Sequence, residues 1–562
     1  MILRLTPVLC AVLFGMAVAG SSSPSFAEDG ADLILRRGVF YPVQPPGRVE
    51  GSLAVRGGRI VYLGTDAGAE KLRGARTRVV DLGGRAVTPG LIDAHSHFMG
   101  LGRALQQVDL VGTASYQEIV ARVREAASRT PAGTWIRGHG WDQNDWPEKA
   151  FPTHEALSAA VPDHPVWLSR IDGHAALINA RAMEILGIDA AIKDPSGGRF
   201  LRDASGRPTG VLVDNAMDVV EGKMPEPTQA DRERALRLAT RHCAALGLTT
   251  VTDMGIGDGD YRAYAALQKA GELPLRAALF LTDNDALLAR WFERGPEIDP
   301  QARLTVRGVK MYIDGALGSR GAALIEPYSD DAGNLGLLVS TGPHLEEVSR
   351  RALAKGFQVA IHAIGDRGGL VAIDAMERAL GGARPEARFR LEHAQVLRLQ
   401  DIERMARLGI IASMQPTHAT SDMPWAGDRV GQARLAGAYA WRKVLNAGGR
   451  LALGSDFPVE SADPRLGLYA AVTRQDLQGN PPGGWFPGER LTREEALRGF
   501  TLDAAWSLFL DQEVGSLEVG KRADLVVFAR DPMTVPEAEI PRAGIDYTVV
   551  DGRVVYERGN AR

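Results

Sequence analysis

"RLTVRGVKMYID", residues 303–314, reads as a β-strand from its run of β-branched and apolar residues. Alternate residues of a strand face opposite sides, so Val309, Met311 and Ile313 form an apolar face and Gly308, Lys310 and Tyr312 the other. A lysine on the second face of a strand covered on both sides is out of place on packing grounds alone. Segments of the same texture recur along the chain: "GLIDAHSH" (90–97), "LTTVTDMG" (248–255), "PLRAALFLT" (274–282), "FQVAIHAIGD" (357–366), "FRLEHAQ" (389–395), "IIASMQP" (410–416) and "LALGSDFP" (451–458). Eight short apolar strands separated by helical stretches predict an α/β protein with a parallel (β/α)8 TIM-like barrel over 89–511. "TREE" (492–495) opens a late helix with a capping box. The gap between strands one and two is too long for one crossover. It predicts a long insertion after strand one, a lid subdomain over about 105–245, with one strand of its own at "PVWLSRID" (165–172).

The two ends of the chain share a different texture of short strands and Gly turns. "GSLAVRGGRIVYLG" near the start and "YTVVDGRVVYERG" near the finish are examples, and Asp551-Gly552 is a strong hairpin signal. Neither end suffices alone, so 28–88 and 512–562 are expected to combine into one small β-sandwich. Residues 1–27 read as a signal peptide, with Arg4 at the start, an apolar stretch and "SFA" before Glu28 as a cleavage site after Ala27. The apolar run is shorter than the ~20 residues of a membrane span. Export follows as the expectation, to the periplasm or the medium, with no membrane anchor and with Cys243 as the only cysteine left. The 562 residues carry 45% hydrophobic and 24% charged side chains and a formal charge of −4. That balance speaks against nucleic acid as a partner and for a small-molecule substrate. A homodimer is left open.

Ionisable residues fall at the C-terminal ends of the strands, where such a barrel places its active site. Strand one ends in His95-Ser96-His97, strand four carries Lys310, strand five His362, strand six His393 and strand eight Asp456. Singly, each has an ordinary explanation: a core histidine, a helix cap, a buried ion pair. Together, in this order and placement, they make a divalent-metal site.

The chain resembles the amidohydrolase superfamily through "VTPGLIDAHSH", "EHAQ", "GSDFP" and "GSLEVGKRADLVVF". Its nearest branch contains the N-substituted formamide deformylases (amidohydrolase family 3), to which "KMYIDGALGSRGAAL", "WIRGHGWDQNDW", "RIDGHAALIN" and "IHAIGDRG" are similar. The resemblance implies one or two Zn ions per chain, with Lys310 as an N6-carboxylated lysine bridging a pair. His95, His97 and Asp456 would complete one ion, and His362 and His393 the other. An unmodified lysine beside a single ion is the alternative. The reaction implied is hydrolysis of an amide-type C–N bond, in an N-acyl or N-formyl amine, with Asp456 moving the proton. Esters and lactones are open to the same chemistry. The alternatives are a mononuclear deaminase of a heterocycle and a non-catalytic exported binding protein on the same scaffold. Candidates for substrate contact are Asp172, His174, Arg320, Trp141 and His418, with Trp146 and Trp425 as further pocket aromatics. Asp366 is either a partner that orients a histidine or a helix cap.

Overall fold

The computed structural model describes residues 30–224 and 226–559. Residues 1–27, read from the sequence as a signal peptide, lie outside the described residues. The central sheet is built on eight parallel strands, β1 (Leu91–Ile92), β2 (Leu248–Ile256), β3 (Arg276–Thr282), β4 (Leu304–Tyr312), β5 (Gln358–Ala363), β6 (Arg390–His393), β7 (Ile411–Met414) and β8 (Leu451–Leu453), with the short Glu297–Ile298 added antiparallel to the start of β4. Each pairs with its sequence neighbour, and helices fill the crossovers. The two ends of the sheet meet through the Ala94 N–H donating to the Leu453 carbonyl (3.1 Å) and the Asp456 N–H donating to the His95 carbonyl (2.8 Å). The fold is TIM-like.

The alternation read from the sequence explains both faces of β4. Val309, Met311 and Ile313 are buried in the large core between strands and helices. Gly308 faces inward, where an added Cβ would lie 2.1 Å from the Phe280 ring, and Phe280 belongs to the apolar plug inside the barrel. Lys310 follows two residues later on that same inner face, above the plug and fully buried.

The insertion differs from the sequence expectation. It holds six strands, not one: Val108–Asp109, Ile136–Trp141, Val166–Arg170, Ala175–Ile178, Gly198–Arg202 and Pro208–Asp214. Val166 and Leu168 enter one apolar cluster while Trp167 enters another, so this sheet is buried on both faces. Its strands are short and interrupted by Gly138, Gly140 and Gly173, which hides the period from a sequence scan.

Strands from both ends of the chain share a third sheet. Ala31–Phe40 pairs along its length first with Arg73–Asp81 and then with Ala86–Pro89, and Leu525–Phe528 is paired between Ala86–Pro89 and Ile545–Val550. The Asp551-Gly552 turn joins Ile545–Val550 to Arg553–Glu557 as an antiparallel hairpin, and Thr492 with Glu495 forms a complete capping box. Among the described residues no helix is long and apolar enough to cross a membrane.

Candidate metal centre

The ligand-type residues meet at the C-terminal mouth of the barrel. His95, His393 and Asp456 present atoms that lie within 4.8 Å of one another, and all three side chains are buried. His97 joins them through Asp456, its Nε2 standing 3.2 Å from Oδ1, while His95 Nε2 stands 3.3 Å from that same oxygen. Lys310 Nζ lies 3.3 Å from His95 Nε2. The ring of His362 is 4.7 Å from that of His393. All six residues therefore surround one small volume.

Backbone conformation makes this convergence. His393 and Ala394 have φ of 68° and 44°, and Asp456 has φ of 65°. These left-handed residues interrupt strand alternation, so that neighbouring side chains at the ends of β6 and β8 turn towards the same centre.

Partners behind the ligands fix their tautomers. The Nδ1–H of His95 donates to Glu392, whose carboxylate also receives Nε (2.7 Å) and Nη2 (2.9 Å) of the buried Arg390. His97 Nδ1 lies 3.1 Å from the Met254 carbonyl, and His393 Nδ1 lies 2.9 Å from Gln415 Oε1. Nδ1 is thereby the protonated nitrogen of His95 and of His97, and Nε2 is left as the free electron pair. Two such electron pairs then face the carboxylate of Asp456, an arrangement that repels unless a cation lies between them.

Burial would raise the Asp456 carboxyl, and His95 and His97 would hold it well below the usual range only as proton donors; with their protons on Nδ1, a cation has to supply that pull. Burial pushes His362 and His393 well below the ordinary imidazole value, so both are neutral. Burial also brings Lys310 down to about 8, against the pull of Glu392 and Asp456. Asp456 Oδ1 is buried without a hydrogen-bond donor. Neutral imidazoles and an unsatisfied buried carboxylate oxygen are the donor set of a divalent cation, and the residues present fit one.

The other candidates divide. His418 reaches the centre, with Nε2 at 3.7 Å from Asp456 Oδ2 and no hydrogen-bond partner. His174 enters from the insertion: its ring is 5.0 Å from that of His362, and its Nδ1 lies 2.8 Å from Asp214 Oδ1. Asp172 is held by Arg170 Nη1 (2.5 Å) and accepts the His174 N–H (3.0 Å). Arg320 pairs with Asp330 at 3.0 and 3.2 Å and lines a separate depression that also contains Trp425. Trp141 is corrected outright. It is fully buried, its Nε1–H donates to the Leu168 carbonyl, and it packs on Trp146 and Phe151 inside the insertion. Among the described residues Asp366 forms no ion pair with a histidine; its Oδ1 accepts the Ile325 N–H (2.9 Å). Asp314 stands in that place, with Oδ1 at 3.5 Å from His362 Nε2 and both oxygens held by backbone N–H groups of Ala323, Ile364 and Gly365.

Residues 78–556 match the amidohydrolase family. The protein LONG AFTER FAR-RED 3 of Arabidopsis thaliana is 34% identical over 94% of this chain and 92% of its own. An N-substituted formamide deformylase of Arthrobacter pascens is 29% identical over 90% and 95%. Among solved structures, an uncharacterized metal-dependent hydrolase from Pyrococcus furiosus superposes with a TM-score of 0.71 at 32% identity, covering 89% of this chain and 100% of that one. The chain belongs to the amidohydrolase family and is a metal-dependent hydrolase of carbon–nitrogen bonds.

Proposed function

We propose that this enzyme hydrolyses a small-molecule amide, an N-acyl or N-formyl amine, to a carboxylic acid and an amine. The observation that carries the reading is the buried, donor-less Oδ1 of Asp456 between the Nε2 atoms of His95 and His97. His95, His97 and Asp456 would hold one zinc ion, with Lys310 as a carbamate shared with a second ion on His362 and His393. Support for the carbamate is positional: Lys310 Nζ lies against His95 Nε2 and 4.7 Å from the Tyr312 ring centroid, with no carboxylate of the described residues in bonding contact. Bound there, the metal would lower the pKa of water and polarise the substrate carbonyl. Asp456 takes a proton from the attacking water and returns it to the departing nitrogen. His418 is aimed at the same carboxylate and contacts the substrate. The inserted sheet acts as a lid, and the terminal strands form a β-sandwich that braces the barrel floor.

Metal analysis of purified protein, together with turnover of simple amides, tests this reading. Two zinc ions per chain, both reduced in Lys310→Ala along with activity, are expected. A single ion indifferent to Lys310 would point instead to a site on the tighter trio His95, His393 and Asp456. We further propose export to the periplasm or medium. It rests on residues 1–27, and a native protein that retains them would overturn it.

A further inference from the structure

Where the insertion meets the barrel, two guanidiniums share one carboxylate. Arg320, after β4, and Arg429, after β7, both pair with Asp330. The nearby Arg170, fully buried, is instead matched by two acids, Asp142 and Asp172. The side chains of Arg320, Arg429 and Asp330 are 24%, 7% and 23% exposed, so solvent screens them only in part. One positive charge is left over among them.

The shortage shows in the hydrogen bonds. Arg429 gives Nη1 to Asp330 and Nη2 to Asn144 Oδ1 (3.0 Å), but its Nε is buried without an acceptor among the described residues. Asn144 Nδ2 is buried without one as well. Burial, and then Arg320 beside it, push the Arg429 guanidinium below its ordinary value. An acceptor with a negative charge is what this group lacks.

The same residues line a depression of about 530 Å³. The insertion supplies Asn144 and Lys149, the segment after β4 Arg320 and Asp330, and the segment after β7 Asp428 and Arg429. Lys149 and Asp428 are both exposed and offset each other in charge, which leaves the excess with the two guanidiniums. None of the six ligand-type residues of the metal centre lines this depression.

We propose that the depression is a second ligand site, which binds the carboxylate of a small organic acid and thereby bridges the insertion to two barrel segments. A single negative charge closes the imbalance, where a dianion overshoots it. A planar carboxylate accepts paired N–H groups from a guanidinium. The volume lies within the ~300–1,000 Å³ of small-molecule sites. The inference does not depend on which bond the metal centre cleaves. A ligand held only by the folded chain stabilises it as the site fills.

Benzoate, its neutral analogue benzyl alcohol, and phosphate at pH 8 are the probes, each titrated calorimetrically into the metal-loaded enzyme. Benzoate should bind at least about tenfold more tightly than the alcohol, the worth of a hydrogen bond to a charged group. Arg320→Gln removes the excess charge while Arg429 still holds Asp330, and it should weaken benzoate by about tenfold or more. Gly427 offers a second handle. It lines the depression, and an added Cβ would meet only the ends of the Gln432 (3.3 Å) and Leu435 (3.6 Å) side chains. Gly427→Glu should supply a carboxylate from the chain itself, abolish benzoate binding and unfold at a higher temperature than Gly427→Gln. In the Arg320→Gln background that difference should shrink, since only its helix-end contribution remains. No binding of benzoate to the parent enzyme, or equal unfolding temperatures of the Glu and Gln variants, would overturn the site. Benzoate bound equally by the parent and both variants would place it on the metal and overturn the site too. Phosphate binding more tightly than benzoate would overturn the assignment to a carboxylate.

Discussion

The two ends of the barrel both bury charge, yet they treat it oppositely. At the floor, Arg276 is fully buried and forms a fork with Asp524, at 2.7 Å from Nε and 2.8 Å from Nη2. Asp551 completes the network by pairing with Arg276, Arg303 and Arg522. Asp524 and Asp551 come from the C-terminal strands, so this network locks the terminal sheet onto the barrel. At the mouth, Asp456 is also buried, but its Oδ1 receives no hydrogen bond from the described residues and faces two imidazole electron pairs. The floor satisfies its charges from within the chain; the mouth leaves a place for a cation from outside. Buried charge stabilises in the first setting and is reserved for chemistry in the second.

The sharpest way to break this contrast is Asp456→Asn. Turnover should fall by about 10²–10⁴-fold, the range for loss of a general acid–base. The unfolding midpoint of the metal-free protein should not drop, because no internal partner loses its charge. A large stability loss in that variant would erase the distinction between the two ends.

Arg276→Met is the mirror experiment. It strands Asp524 without its partner, and breaking a buried pair from one side costs about 3–5 kcal/mol. Urea denaturation should show that loss, while turnover per folded molecule stays unchanged. A fall in turnover without a shift in the midpoint would place the floor in the catalytic machinery.

Glu392→Gln lies between the extremes, since Glu392 is paired internally with Arg390 and also orients a ligand. Loss of such an orienting partner lowers metal affinity by about 10–100-fold. Competition with a chelating indicator measures it. An unchanged affinity would mean that His95 is held by packing alone.

How much of this was legible depends on sequence distance and on backbone regularity. Lys310 stood out because regular alternation placed it on a face that packing alone did not explain, and His362 because it falls, with the other ligand-type residues, at the C-terminal end of a strand. Glu392 was hidden by the same rule, because it adjoins His393 and neighbours in a strand should diverge. The positive φ of His393 defeats that expectation, and "EH" carries no visible sign of it. Trp141 was misplaced because an aromatic residue in a glycine-broken insertion looks the same whether it packs or binds. Arg276 and Asp524, 248 residues apart, gave no local signal at all. The barrel was readable because its pattern repeats eight times, whereas the clamp beneath it occurs once.

The smallest expected effect concerns acid. Burial alone would raise the Asp551 carboxyl, but Arg276, Arg303 and Arg522 outweigh burial and hold it below its usual value. A depressed carboxylate binds fewer protons in the folded state than in the unfolded one, so its contribution is complete above the unfolded value of about 3.9. That contribution fades as the pH falls through the lower folded value. Asp551→Asn removes the charge while keeping a residue that tolerates the φ of 48° at this turn. The gap in urea midpoint between the two proteins should therefore be constant from pH 7 to 5 and close below pH 4. The effect stays small because Asp524 still holds Arg276, and because Asp551 is 13% exposed where Asp524 is 1%. A gap that widened in acid would mean that the floor carboxylate is destabilising, and the two ends of the barrel would then bury charge in the same way.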